Sequence, residues 1–252
     1  MASTRLPGKV LYEVAGRPLI LFMVERVRRV SELDDVVIAT SENEENDALA
    51  AAASDAGVSV FRGSEDDVLE RFDGAAADQE ADLIVRLTGD CPITDPEVIS
   101  AVIQQRAADD LDYCCNVKPE TWPDGLDVSV FTRETLARAN REATLPSERE
   151  HVVPWMWRMS SLEGGALLRA GNLRAPEDLS KLRWTIDDAR DYQMLRTLAA
   201  RMGPAALHAA GWREIRNFLA DNPDIGILNA GAIRDEGLAR SRAADRSSGG
   251  LE

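Results

Sequence analysis

The segment Arg86-Leu87-Thr88-Gly89-Asp90-Cys91-Pro92 runs from an apolar stretch into Gly-Asp. A second apolar stretch, Arg183-Trp184-Thr185-Ile186-Asp187-Asp188, also ends in aspartate. Open α/β sheets bind their ligands at the carboxyl ends of strands. Carboxylates placed there suit Mg²⁺, which takes one or two carboxylates together with phosphate oxygens and water. Asp90 and Asp187 are therefore candidate ligands of one metal ion, and Asp188 suits the N-cap of a following helix. A turn or capping role explains either aspartate equally simply. The loop Arg5-Leu6-Pro7-Gly8-Lys9 places two cations on a sharp Pro-Gly turn. Such a loop suits an anion such as a triphosphate, and a solvated turn is its plainer reading.

Two further segments carry polar groups that could face a substrate. In Trp122-Pro123-Asp124-Gly125-Leu126-Asp127-Val128, Pro-Asp-Gly is a strong turn signal. It puts Asp124 on the turn and Asp127 one residue into a strand. In Arg149-Glu150-His151 the histidine is one of only two in the chain, the other being His208. It reads either as a base or substrate contact or as a packed surface histidine.

The elements that must hold these residues alternate over the first two thirds of the chain. Short apolar runs at 36–40, 58–61, 83–87 and 112–116 read as buried strands. Helices are expected at 18–30, 44–56, 65–78 and 96–108, the last with Asp95 as N-cap and Pro96 in its first turn. This alternation predicts an α/β fold, a mostly parallel sheet with helices on both faces. The pattern then changes. A strand with one exposed face is expected at 126–131, a helix at 133–143, and another at 149–159 interrupted by Pro154. Strands are expected at 166–174 and 182–186, and closing helices at 188–201 and 212–220. One domain over 1–238 is expected. The Arg-, Ala-, Ser- and Asp-rich residues 239–252 are expected to be a disordered tail.

Composition narrows the function classes. The chain has 252 residues, 44% hydrophobic and 29% charged, which is ordinary globular composition. With 29 basic and 44 acidic residues the net charge is −15, so nucleic acid is not an expected partner. No run approaches the roughly 20 apolar residues of a membrane span, so no membrane partner is expected either. The three cysteines, Cys91, Cys114 and Cys115, lack zinc-ligand spacing. They fit a reduced, cytoplasmic protein with buried thiols.

Taken together, these residues resemble the sugar cytidylyltransferases, and most closely the SpsF-like branch, related to the CMP-Kdo and CMP-sialic acid synthetases. The resemblance runs over about residues 3–240. It rests on Ser3-Thr4-Arg5-Leu6-Pro7-Gly8-Lys9, Phe61-Arg62-Gly63-Ser64-Glu65-Asp66-Asp67-Val68-Leu69, Leu87-Thr88-Gly89-Asp90-Cys91-Pro92, the Pro123–Val128 segment, Arg149-Glu150-His151, Thr185-Ile186-Asp187 and Asn229. It implies a three-layer α/β/α fold of the nucleotide-diphospho-sugar transferase type. It implies transfer of CMP from CTP to a sugar or sugar acid with release of pyrophosphate, for polysaccharide or glycoconjugate biosynthesis. Arg5 and Lys9 would grip the triphosphate, Asp90 and Asp187 would hold Mg²⁺, and Thr40 and Ser41 would lie near the base and ribose. Asp127, Arg149 and His151 would face the sugar.

Residues 118–182 would form an extension that completes the sugar site and packs on a second copy in a homodimer. Trp122, Trp155 and Trp157 fall there, and suit either an interface or a core. The resemblance also implies a strand and an arginine ahead of residue 1. Their absence from this sequence leads us to expect a start placed at an internal methionine or a shortened chain, with neighbouring strand edges left unpaired. Two other function classes stay open: a glycosyltransferase, for which Asp110-Leu111-Asp112 has the letters of a metal motif, and an inactive nucleotide-binding relative.

Overall fold

A computed structural model describes residues 5–232 and 234–248. Residues 5–8 form a turn that leads into a short 3₁₀ segment, Lys9–Leu11. Strands β1 (Glu13–Val14) and β2 (Arg17–Pro18) then pair antiparallel around Ala15 and Gly16. Both turn residues have positive φ, 53° and 81°, as a two-residue type I′ hairpin requires. Helix α1 (Leu19–Val27) therefore begins after the hairpin, where the sequence led us to expect it to open at Pro18.

Strand β3 (Val37–Ser41), helix α2 (Asp47–Asp55), strand β4 (Ser59–Gly63), helix α3 (Val68–Asp78) and strand β5 (Leu83–Arg86) follow in alternation. Helix α4 (Pro96–Ala108) starts as its sequence predicts: Asp95 accepts a hydrogen bond from the Val98 amide and Pro96 sits in the first turn. Strand β6 (Tyr113–Cys115) and strand β7 (Ser129–Thr132) precede helices α5 (Arg133–Glu142), α6 (Pro146–His151) and α7 (Pro154–Arg158). Strand β8 (Ala170–Asn172) is the last strand among the described residues. Helices α8 (Ala189–Met202), α9 (Pro204–Ala209), α10 (Trp212–Asp221), α11 (Pro223–Gly226) and α12 (Glu236–Ser248) complete the described chain.

The strands pair as a parallel β3–β4 ladder and a four-stranded sheet in the order β5-β7-β6-β8. In the larger sheet β7 is antiparallel to both β5 and β6, and β6 is parallel to β8. The α/β class expected from the sequence holds, but the pairing is mixed. The chain returns from β6 to β7 through the Pro-Asp-Gly turn rather than a crossover helix, and such a return gives an antiparallel neighbour. No ladder joins β3 to β5 among the described residues. Each is an edge strand of its own ladder among the described residues.

Alternating side chains put the main sheet between two cores. Cys114 and Val130 belong to one apolar cluster with Val98, Ile99 and Val102 of α4. Tyr113, Cys115 and Phe131 belong to the other, with Leu136, Trp155 and Met156. Successive residues of a strand face opposite sides, so this division covers the sheet on both faces and builds the α/β/α sandwich. The three tryptophans of 118–182 are all buried within the chain. Trp122 packs edge-on against Trp212, with ring centroids 5.1 Å apart, and Trp157 donates its ring N–H to the Tyr113 hydroxyl at 2.7 Å. They are core residues.

Two sequence expectations are corrected. Residues 182–186 form no strand, because their hydrogen bonds go to different loops. The Trp184 and Thr185 amides donate to the Asp124 carbonyl, and the Ile186 amide donates to the Asp90 carbonyl. Residues 239–248 are not a disordered tail but lie in α12. Alanine and arginine are strong helix formers whatever their hydropathy. Arg242 pairs with Glu163 at 3.1 Å, and Asp245 accepts from the Ser147 amide at 3.2 Å. Residues 249–252 lie outside the described residues, as do Ser3 and Thr4.

Candidate active site

The Pro-Asp-Gly turn brings the site together. Gly125 has φ 113°, and a Cβ there would stand 2.6 Å from the Thr185 amide nitrogen. Only glycine lets the turn approach the 183–187 segment so closely. That approach sets Asp124 and Asp127 beside Thr185 and Asp187 in a cavity of about 230 Å³. The C-terminal end of β5 supplies Arg86, Thr88, Asp90 and Cys91 to the same cavity. Arg5, Ser129, His151, Trp157 and the start of α12 also line it.

Asp90 and Asp187 converge, and the cation between them is Lys9. Its Nζ lies 3.1 Å from Asp90 Oδ2, 3.0 Å from Asp187 Oδ1 and 2.6 Å from the Ile186 carbonyl oxygen. Burial works against the Lys9 charge, but the two carboxylates outweigh it and raise its pKa. Burial likewise opposes the Asp90 charge, yet Lys9 and the Thr88 hydroxyl hold its carboxyl below the usual range. Arg5 stands at the mouth, 3.5 Å from Asp187 Oδ1 and 3.0 Å from Glu236 Oε2. Asp188 caps α8 by accepting from the Arg190 and Asp191 amides, as its sequence position predicts.

The sequence did not single out Arg183 for a role, and the structure does. Its guanidinium binds Asp124 at 2.6 Å, Asp187 at 3.0 Å and Asp191 at 2.9 Å. Asn229 donates to Asp191 Oδ1 and to the Arg183 carbonyl. The aspartates four and eight residues after Arg183 gave no helical-spacing signal, because residues 183–188 precede α8. Arg234, which holds Asp127 at 2.6 Å and donates to the Trp122 carbonyl, had no signal in its neighbourhood.

Of the residues expected to face a sugar, Asp127 and His151 line the cavity and Arg149 does not. Arg149 is consumed in tying α3 to α5, through Asp67, the Asn140 side chain and the Asn140 and Ala143 carbonyls. Thr40 and Ser41 are buried at the end of β3 and lie outside the cavity lining. The Ser41 hydroxyl accepts from Asn46 Nδ2 at 2.7 Å. His151 Nε2 lies 3.1 Å from the Ser241 hydroxyl of α12, and burial holds its pKa below the ordinary histidine range. The Cys91 thiol is buried and pushed well up by burial, with Asp90 and Asp127 adding to the shift.

Asp127 carries a pH prediction. Burial pushes its carboxyl up to about 7, against the opposing pull of Arg234. The folded protein therefore keeps this proton between about pH 4 and pH 7, where the unfolded chain has lost it. The site's contribution to stability is full below about pH 4 and is lost as pH rises to about 7. Asp127→Asn imitates the protonated form. It should be more stable than the wild type by about 1–2 kcal/mol at pH 8 and level with it near pH 4. Denaturant melts at both pH values check this, and a variant less stable than the wild type at pH 8 would overturn it.

Asp110-Leu111-Asp112 does not reach the site: both aspartates are held by Arg169, at 2.7 Å and 3.4 Å. A larger cavity of about 340 Å³ lies elsewhere, lined by residues that include Arg17, Phe22 and His208. Glu25 pairs there with Arg17 and lies 3.1 Å from His208 Nε2.

Residues 1–201 match the family model described as cytidylyltransferase. The chain is 35% identical to the spore coat polysaccharide biosynthesis protein SpsF of Bacillus subtilis, over 89% of this chain and 92% of that protein. It is 32% identical to a 3-deoxy-manno-octulosonate cytidylyltransferase of Anaeromyxobacter dehalogenans, over 72% of this chain and 79% of that enzyme. A solved cytidylyltransferase from Leptospira borgpetersenii superposes with a TM-score of 0.84 at 30% identity, covering 93% of this chain and 95% of that one.

Proposed function

The chain belongs to the cytidylyltransferase family, and from that premise we propose that it transfers CMP from CTP to a hydroxyl of a sugar or sugar acid, releasing pyrophosphate, in polysaccharide or glycoconjugate biosynthesis. The observation that carries the reading is the meeting of Lys9 and Arg5 with Asp90 and Asp187 at a polar cavity. Cations for a triphosphate stand there beside carboxylates for its metal.

Mg²⁺ fits this donor set. Asp90 Oδ2 and Asp187 Oδ1 already share one cation, the Lys9 ammonium, and both are the hard oxygen donors that Mg²⁺ takes. When bound, Mg²⁺ neutralises triphosphate charge and polarises the phosphorus under attack. Lys9 and Arg5 then bind phosphate oxygens in place of their present carboxylate partners, and steady the charge gathering on the leaving pyrophosphate. Arg183 keeps Asp187 aimed while it is so engaged. The acceptor hydroxyl forms the new bond to the α-phosphorus as the bond to the bridging oxygen breaks. Asp127 faces the cavity with its carboxyl near neutrality and is suited to take the hydroxyl proton.

A glycosyltransferase reading has less support, because its Asp-Leu-Asp letters lie on Arg169 rather than in the cavity. The test is a thermal-shift series with CTP, UTP, ATP and GTP, with and without Mg²⁺, followed by pyrophosphate release over a panel of sugars. CTP with Mg²⁺ at about 100 times its Kd should add about 2.7 kcal/mol, roughly 5–10 °C for a chain of this size. Equal shifts with all four nucleotides, or none with any, would reject the CTP assignment.

A further inference from the structure

The start of α12 forms part of the cavity wall, through Asp235, Glu236, Gly237 and Leu238. Glu236 stands in the first turn of the helix, and its Oε2 lies 3.0 Å from Arg5 Nη1. The other terminal nitrogen of the same guanidinium lies 3.5 Å from Asp187 Oδ1. A carboxylate makes the same charge-assisted hydrogen bonds to a guanidinium that a phosphate makes. Glu236 therefore occupies the place on Arg5 that a phosphate oxygen would need. The helix that carries it is lightly held. No residue from 236 to 247 is buried, and Leu238 is only half-buried against the core on that side. Its docking contacts include Ser241 with Glu150 at 2.7 Å and with His151 Nε2 at 3.1 Å, Arg242 with Glu163 at 3.1 Å, and Asp245 with the Ser147 amide at 3.2 Å. Exposed polar pairs contribute little to stability, and elements with few buried apolar contacts open at low cost. The chain just ahead of the helix is pinned instead. Arg234, with a side chain 11% exposed, holds Asp127 at 2.6 Å and the Trp122 carbonyl at 3.0 Å.

We propose that α12 is an autoinhibitory lid. Glu236 holds Arg5 as a stand-in for a phosphate, and a nucleoside triphosphate must displace Glu236 and undock the helix to reach that cation. This rests on the proposed reading of the cleft as a CTP site. The exchange strands no charge. Glu236 keeps Arg240, one turn along the helix at 3.3 Å, and Arg5 gains phosphate oxygens. Arg234 keeps the preceding chain on Asp127, so the movement is confined to α12. Only molecules with the helix undocked offer Arg5 to the triphosphate, so the docked fraction weakens the apparent affinity. Anything that loosens the helix should strengthen triphosphate binding.

The test compares the full chain as wild type, Glu236→Gln and Arg242→Gln. The probes are CTP and inorganic tripolyphosphate, each with Mg²⁺. Binding is read by titration calorimetry, and the state of the helix by amide hydrogen exchange over residues 236–247. Glu236→Gln should bind both probes about two- to fivefold tighter than the wild type, the range that loss of an exposed ion pair supplies. Arg242→Gln releases the far end of α12 from Glu163 and leaves Arg5 and Lys9 as they are. Losing a cation near the cleft would by itself weaken an anion. Tighter binding by Arg242→Gln, by a smaller factor than Glu236→Gln gives, therefore reads undocking and not charge. In the wild type, either probe should speed exchange across α12. Both variants should exchange faster than the wild type before any probe is added. Unchanged or weaker binding in either variant, or exchange that a bound probe slows or leaves unaltered, overturns the proposal. If one variant fails to fold, the other and the wild-type exchange decide. Tripolyphosphate that binds and loosens α12, with CTP no tighter than UTP, ATP or GTP, removes the CTP reading alone. CTP-selective binding that leaves α12 exchange unaltered removes the lid alone.

Discussion

Asp187→Asn should lower pyrophosphate release from CTP by about 10²–10³-fold while the protein stays folded. Asparagine keeps the size of the side chain and one oxygen for Lys9, so what it removes is the charge. Stability should change little, because each neighbour keeps another anion. Lys9 retains Asp90, Arg183 retains Asp124 and Asp191, and Arg5 retains Glu236. Asp90→Asn should behave the same way for the same reason. The double variant should cost less than the product of the two single losses, since groups acting on one metal are not additive. Near-normal Mg²⁺-dependent turnover in both single variants would defeat the assignment of these carboxylates to a metal. A loss of turnover accompanied by a lowered melting temperature would point instead to a structural role for the Lys9 cluster.

The parts of this site that could be read before the structure were those carried by local spacing. Asp90 and Asp187 each follow an apolar run, so strand-end logic finds them without a partner in view. Asp95, Asp188 and the Pro-Asp-Gly turn are likewise decided by their immediate neighbours. What escaped was set by contacts distant in sequence. Arg234 reaches Asp127 across 107 positions, and nothing beside it announces that partner. The resemblance made Arg149 a substrate contact, yet its guanidinium turns away to Asp67 and Asn140. Neighbours in sequence on a helix point in different directions, so adjacency to a site residue carries little weight. The α12 helix was missed for a different reason. Its composition is polar enough to suggest disorder, and the ion pairs that dock it are invisible until Glu163 is seen across from Arg242 and Arg5 across from Glu236.

The network around Arg183 should govern stability as strongly as Asp187 governs chemistry. Arg183→Met removes one cation that three carboxylates share, and Asp191 among them is fully buried. Burial opposes the Arg183 charge, but its hydrogen bonds to Asp191 and the nearby aspartates raise its pKa well above the ordinary value. Taking one partner from a buried ion pair leaves an uncompensated charge, at a cost of about 3–5 kcal/mol. For a chain of this length that is a fall in Tm of roughly 6–20 °C. The variant should recover part of its stability as pH falls and the orphaned carboxylates protonate. Burial has already pushed Asp124 up to about 6 with Arg183 present, and removing the arginine can only raise it further. Arg201→Met is the internal comparison: its pair with Asp224 is exposed on both sides, and such pairs contribute little to stability. Denaturant melts of both variants at pH 5 and pH 8 read the difference directly. If Arg183→Met were no more destabilising than Arg201→Met, the aspartates around Asp187 would not depend on Arg183 for their placement. The positioning role given to it in the site would then fail with the stability argument, since both rest on the same three contacts.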